Sequence, residues 1–119
     1  MKHLKQIILN WLSGIRLAWH NTIFRGMVAF SILGIVIALV ARIGTLKVML
    51  LVAIAFIGFG MEIANSSIEK LCDIVHPGKS AEVKVVKDAF SAVPIFSYTA
   101  YVVSWLILVA PPLWRMIVR

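Results

Sequence analysis

The chain has 119 residues, 61% of them hydrophobic, a net charge of +7 and a mean hydropathy of +0.97. Ordinary soluble domains are about 45–50% apolar; here the surplus lies in long runs, which excludes an ordinary soluble fold and indicates one membrane domain over residues 1–119. Lysines and arginines flank those runs, where they anchor to anionic headgroups and set topology, so the charge is assigned to the membrane and not to nucleic acid.

Residues 2–20 read as an amphipathic helix lying in the membrane interface. Leu4, Ile7, Ile8, Trp11, Leu12, Ile15 and Trp19 share one side, and Lys2, Lys5, Gln6, Ser13, Arg16 and His20 the other. This helical spacing, in place of a continuous apolar run, argues against a signal peptide. A first span is expected over 26–41, prolonged upstream by apolar residues, and a turn over 42–45. A second span covers 46–61, and helical character continues through 62–75 into headgroups and cytosol. His76, Pro77, Gly78, Lys79 and Ser80 break the helix. A short charged helix over 81–88 leads to a third span, 89–110, with Pro94 in its first turns and Pro111 and Pro112 ending it. The fold class is therefore all-α membrane protein: an amino-terminal interfacial helix and three transmembrane helices. So small a bundle has little interior of its own, which favours oligomerisation.

Topology follows from the basic residues. Lys2, Lys5, Arg16 and Arg25 lie before the first span, and Lys70, Lys79, Lys84 and Lys87 lie in the 62–88 segment. The 42–47 segment holds only Arg42 and Lys47, and the tail only Arg115 and Arg119. Three spans with a cytosolic amino terminus put both basic-rich segments in the cytosol.

All five acids, Glu62, Glu69, Asp73, Glu82 and Asp88, lie between 62 and 88. At helical spacing Glu62, Asn65, Glu69 and Asp73 line one face, with Ser66 beside them, and the two glutamates stand roughly 10 Å apart along the axis. Acids at a bilayer edge are costly unless paired or solvated. One reading is a solvated face paired with Lys70, Lys84 and Lys87. The other is phosphoryl transfer, which needs positive charge around phosphates and a group to position or deprotonate the attacking hydroxyl. One carboxylate would take the proton of a lipid hydroxyl, a second would hold Mg²⁺ through oxygen, Lys87 would meet a phosphate, and Asn65 would orient a neighbour.

The run from Glu62 to Asp73, EIANSSIEKLCD, resembles the signature E-x-x-N-S-(A/S)-I-E-x-x-x-D of prokaryotic diacylglycerol kinases. Lys87-Asp88 follows fourteen residues after Asp73, ahead of Ser91-Ala92-Val93, as the family's Lys-Asp pair precedes small residues. Trp11, Gly14, Arg16, Ala18, Trp19, Phe24 and Arg25 are similar to the family's amphipathic leading segment. The resemblance implies a homotrimer in the bacterial inner membrane, with active sites shared between subunits at the cytosolic surface over 62–88. MgATP is the implied donor and a lipid alcohol the acceptor. It assigns Glu62 as general base supported by Asn65, Glu69 as metal ligand, and Lys87 and Asp88, with Arg25, to the nucleotide.

The chain departs from the family at one ligand position. A second metal-binding glutamate usually precedes the Phe-Arg pair; counting back from Phe24-Arg25 that place is Asn21, and counting from Trp19 it is Thr22. Asn21 would offer the metal one uncharged oxygen. Gly26 and Met27 stand where a further acid commonly follows the pair, and Ala64 and Cys72 replace larger aliphatics.

Other signals carry less. Gly78-Lys79-Ser80 ends like a phosphate-binding loop, but Asp73 stands where the first glycine is needed. His3, His20 and His76 lack metal-ligand spacing. Cys72, the single cysteine, allows no intrachain disulfide and reads as packing. The tryptophans mark interfaces or helix contacts, and Tyr98 and Tyr101 call for hydrogen-bond partners across helices. The expected function is ATP-dependent phosphorylation of diacylglycerol. The alternatives are an undecaprenol or other polyprenol kinase, and a non-catalytic membrane protein on the same scaffold. A transporter or channel subunit finds no support, because no ionisable residue sits at mid-span.

Overall fold

A computed structural model describes residues 2–118. The described residues form five helices: α1 (Lys2–Trp19), α2 (Thr22–Val40), α3 (Thr45–Val75), α4 (Ala81–Leu108) and α5 (Ala110–Ile117). No strand occurs among them. Helices α2, α3 and α4 are each long and apolar enough to cross a membrane. This is an all-α membrane architecture of one amphipathic amino-terminal helix and three spans, as the apolar runs require. Most large apolar side chains on these helices are exposed, for example Phe56, Phe96, Leu46 and Ile107, as lipid-facing or subunit-facing surfaces should be.

Local chemistry explains each boundary. Asn21 caps α2, its Oδ1 accepting from the Ile23 N–H at 2.9 Å. Helix α2 ends in a Schellman arrangement: Arg42 adopts φ 51°, its N–H bonds Leu39 O at 3.1 Å, and the Ile43 N–H bonds Ala38 O at 3.4 Å. Gly44, at φ 98°, completes the reversal into α3. Ser80 caps α4 by accepting from the Val83 N–H at 3.3 Å.

Helix α3 has 31 residues, a length of about 46 Å against a hydrocarbon core of about 30 Å. Part of it must therefore stand beyond the apolar core; Glu69 and Asp73 lie in its last two turns, and Glu62 lies about 26 Å from its start, near the edge of that core. The short charged helix expected over 81–88 and the third span are one continuous helix, α4. Pro94 accordingly lies well inside α4, buried, where it leaves the Phe90 carbonyl without its usual helical donor.

At the other end, Pro111 and Pro112 break α4 as expected but do not end the helical chain. Their missing N–H groups leave the Ile107 and Leu108 carbonyls without helical partners, and the prolines then occupy the first turn of α5. Helix α5 was not anticipated; its signal was the apolar spacing of Leu113, Trp114 and Ile117.

Helix α3 is the hub, packing most extensively on α4 and also on α1 and α2. The buried core is Ala38, Ala41, Ile43, Leu51, Ala55, Tyr101 and Val109. Two hydrogen bonds tie α4 to α2: Tyr101 Oη donates to Ser31 O at 3.0 Å, and Trp105 Nε1 donates to Gly34 O at 2.9 Å. Gly34 permits this approach, since a Cβ there would lie 2.6 Å from Tyr101 Oη. At the amino-terminal side, Ala18 is fully buried, and the Trp19 ring meets the Phe24 ring edge-on at 6.0 Å.

Candidate functional site

The antiparallel order of the spans brings the start of α2, the end of α3 and the start of α4 to one side of the bundle. A cavity of about 620 Å³ opens there. Helix α2 contributes Ile23, Gly26, Met27 and Phe30, and α4 contributes Ser91, Pro94, Ile95, Tyr98 and Thr99. Asn21, Glu62, Asn65 and Glu69 supply its polar groups. The walls are mainly apolar, and the polar groups converge from α3 and the α1–α2 turn, a pattern suited to a ligand with one reactive polar end.

The expected polar face of α3 is real, but it divides. Glu62, Asn65 and Glu69 face this cavity, whereas Asp73 pairs with the Lys87 ammonium on α4. Lys87 and Asp88 line a second cavity of about 470 Å³ with Gly78, Lys79, Ser80, Ala81, Val83 and Lys84. The cavities adjoin along α4, since Ser91 of the first lies one helical turn beyond Lys87 of the second. Arg25 faces neither; it is exposed, and its Nη2 donates to Thr22 Oγ1 at 3.2 Å.

Glu62 is only 2% exposed. A buried carboxylate needs a donor, and Asn21 supplies it: Nδ2 donates to Glu62 Oε1 at 2.6 Å. Glu62 directly follows the 46–61 stretch expected to form the second span. The Asp73 carboxylate, by hydrogen bonding, holds the Lys87 ammonium above its ordinary range, so Lys87 remains a fixed positive charge.

Asn65 Oδ1 and Ser66 Oγ are buried without hydrogen-bond partners. An orphaned carbonyl oxygen is costly unless something completes it. In a cavity that also holds the Glu69 carboxylate, the available donors are all oxygen, the set preferred by a hard cation such as Mg²⁺. No cluster of three or more His, Cys, Asp or Glu residues that could hold a metal ion occurs among the described residues.

Residues overlooked in the sequence include Phe30, Pro94 and Thr99 of the cavity wall. Ser91, Ile95 and Tyr98 recur at three- and four-residue spacing on α4, a signal masked by the general hydrophobicity of that span. The Phe30 and Tyr98 rings meet at 5.7 Å.

No curated protein and no solved structure gave a significant match to this chain. The family model of the prokaryotic diacylglycerol kinases matches residues 10–109, which takes in α2, α3 and α4, both cavities and most of α1. The chain belongs to the prokaryotic diacylglycerol kinase family, a family of membrane lipid kinases.

Proposed function

We propose that this protein transfers the γ-phosphoryl group of MgATP to the hydroxyl of diacylglycerol, forming phosphatidic acid at the cytosolic face of the bacterial inner membrane. The observation that carries this reading is the buried Glu62 carboxylate at the polar end of an apolar-walled cavity, beside the lysine-bearing cavity of Lys79, Lys84 and Lys87. Acyl chains suit the walls between Met27 and Tyr98, and the lipid hydroxyl then lies beside Glu62 and Asn65. As the hydroxyl oxygen bonds to the γ-phosphorus, the bond from that phosphorus to the β-phosphate bridging oxygen breaks. ADP leaves, and Glu62 takes the hydroxyl proton.

Lys87 and Asp88 are the nucleotide-side groups in this reading; Arg25, exposed and facing neither cavity, would reach a nucleotide only by leaving Thr22. Lys87 would exchange Asp73 for a phosphate oxygen. Glu69, with the free Oδ1 of Asn65, is the pole that would hold Mg²⁺; the Asn21 amide oxygen already accepts from the Ile23 N–H. Bound there, the ion would offset the charge of the phosphates. The reading includes a homotrimer with a cytosolic amino terminus, supported by the wide apolar exposure of the spans and the distribution of Lys and Arg.

The test is phosphate transfer from labelled ATP to diacylglycerol in mixed micelles, comparing the natural protein with Glu62→Gln. The variant should keep its oligomeric state and lose transfer by at least about 100-fold, within the usual range for a proton-transfer group. Transfer undiminished in the variant would remove Glu62 from the reaction.

A further inference from the structure

We propose that Asn21 is a positioning residue for Glu62: its amide nitrogen clamps the carboxylate in the cavity while its amide oxygen caps α2, so Asn21 serves the base and not the metal. This rests on the lipid-kinase reading of the same site. Asn21 lies in the turn between α1 and α2, anchored by its own N–H to Ala18 O at 2.9 Å, and Ala18 is fully buried. The direction of its amide follows from what faces it. The Ile23 N–H can only donate, so the amide atom 2.9 Å away must be Oδ1. The other amide atom, 2.6 Å from Glu62 Oε1, must then be Nδ2, since a second acceptor would repel the carboxylate.

Two bonds from one short side chain fix its rotamer, and through it they fix a carboxylate 41 residues away in sequence. A carboxylate held through one oxygen presents the other to a substrate hydroxyl in a constant direction. An acid at position 21 would instead set a like charge against Glu62 and invite a cation between them. The amide reverses that function: it supplies a donor where an acid would supply a ligand. Displacing a reacting group by about 1 Å can cost about 100-fold in rate, so the clamp should be visible in turnover.

Asn21→Ser separates the roles, because serine caps a helix about as well as asparagine but is too short to reach Glu62. Purified natural protein and variant are compared in the same micelles with diacylglycerol, MgATP and a Mn²⁺ titration. The expected result is an unchanged Tm, a kcat lower by about 10- to 100-fold, and an unmoved KM for MgATP and Mn²⁺ half-saturation. An unchanged kcat, or a Mn²⁺ half-saturation raised in step with the lost activity, would overturn the assignment.

A second measurement does not depend on activity. With ¹⁵N-labelled asparagine, one side-chain amide proton of Asn21 should be shifted downfield and protected from exchange, and Glu62→Ala should return it to the ordinary position. An Asn21 amide that is ordinary in the natural protein contradicts the clamp whatever the activity. A shifted amide in a protein that phosphorylates none of the lipids tried would sustain the clamp and remove only the kinase reading.

Discussion

Lys87 carries the sharpest test at the scale of single residues. Lys87 is held charged by Asp73 and has only to change partners to meet a phosphate. Lys87→Gln should raise the KM for MgATP by about tenfold, in line with the loss of one charge-assisted hydrogen bond. A changed kcat with an unmoved KM would instead place Lys87 at the reacting atoms.

At the scale of elements, the α2–α4 contact has few parts, and each can be removed. Tyr101 donates to the Ser31 carbonyl of α2 and Trp105 to the Gly34 carbonyl. Tyr101→Phe should cost about 0.6 kcal/mol, the average for a hydrogen bond between membrane helices. Gly34→Ala should cost about 1–3 kcal/mol by overpacking, because the new Cβ would fall 2.6 Å from Tyr101 Oη. Reversible unfolding in micelles measures both; a neutral Gly34→Ala would mean that α2 and α4 are not held at this distance.

The same elements show what the chain made legible in advance. Apolar runs announced α2, α3 and α4, because a bilayer accepts only such helices. The spacing of Glu62, Asn65 and Glu69 announced a common face. What escaped depends on contacts between distant segments. Asn21 shows no sign in the sequence that it bonds Glu62, and although Lys87 is a candidate partner for the acidic face, nothing in the spacing singles out Asp73 as the acid it pairs. The cavity wall on α4 is made of residues common in any span, and the helicity of α5 was hidden because two prolines read as a stop.

At the scale of the whole molecule, a narrow core and many exposed apolar residues leave the bundle to be completed by lipid or by further copies. The start of α2, the end of α3 and the start of α4 share one side, so lipid acceptor and nucleotide would meet at one membrane face. That face is the cytosolic one if the Lys and Arg of the amino-terminal and 62–88 segments set orientation. A reporter fused after the last residue should then lie outside the cytosol, and a cytosolic signal would invert this arrangement.

The most direct test of the central claim is phosphate transfer from labelled MgATP to a panel of diacylglycerol, undecaprenol and ceramide, using purified protein in mixed micelles and a known active lipid kinase as control. The account predicts labelled phosphatidic acid as the main product. Label on undecaprenol with none on diacylglycerol would contradict the acceptor assignment. No label on any lipid, from a folded protein beside a working control, would contradict the claim that these cavities carry out phosphoryl transfer.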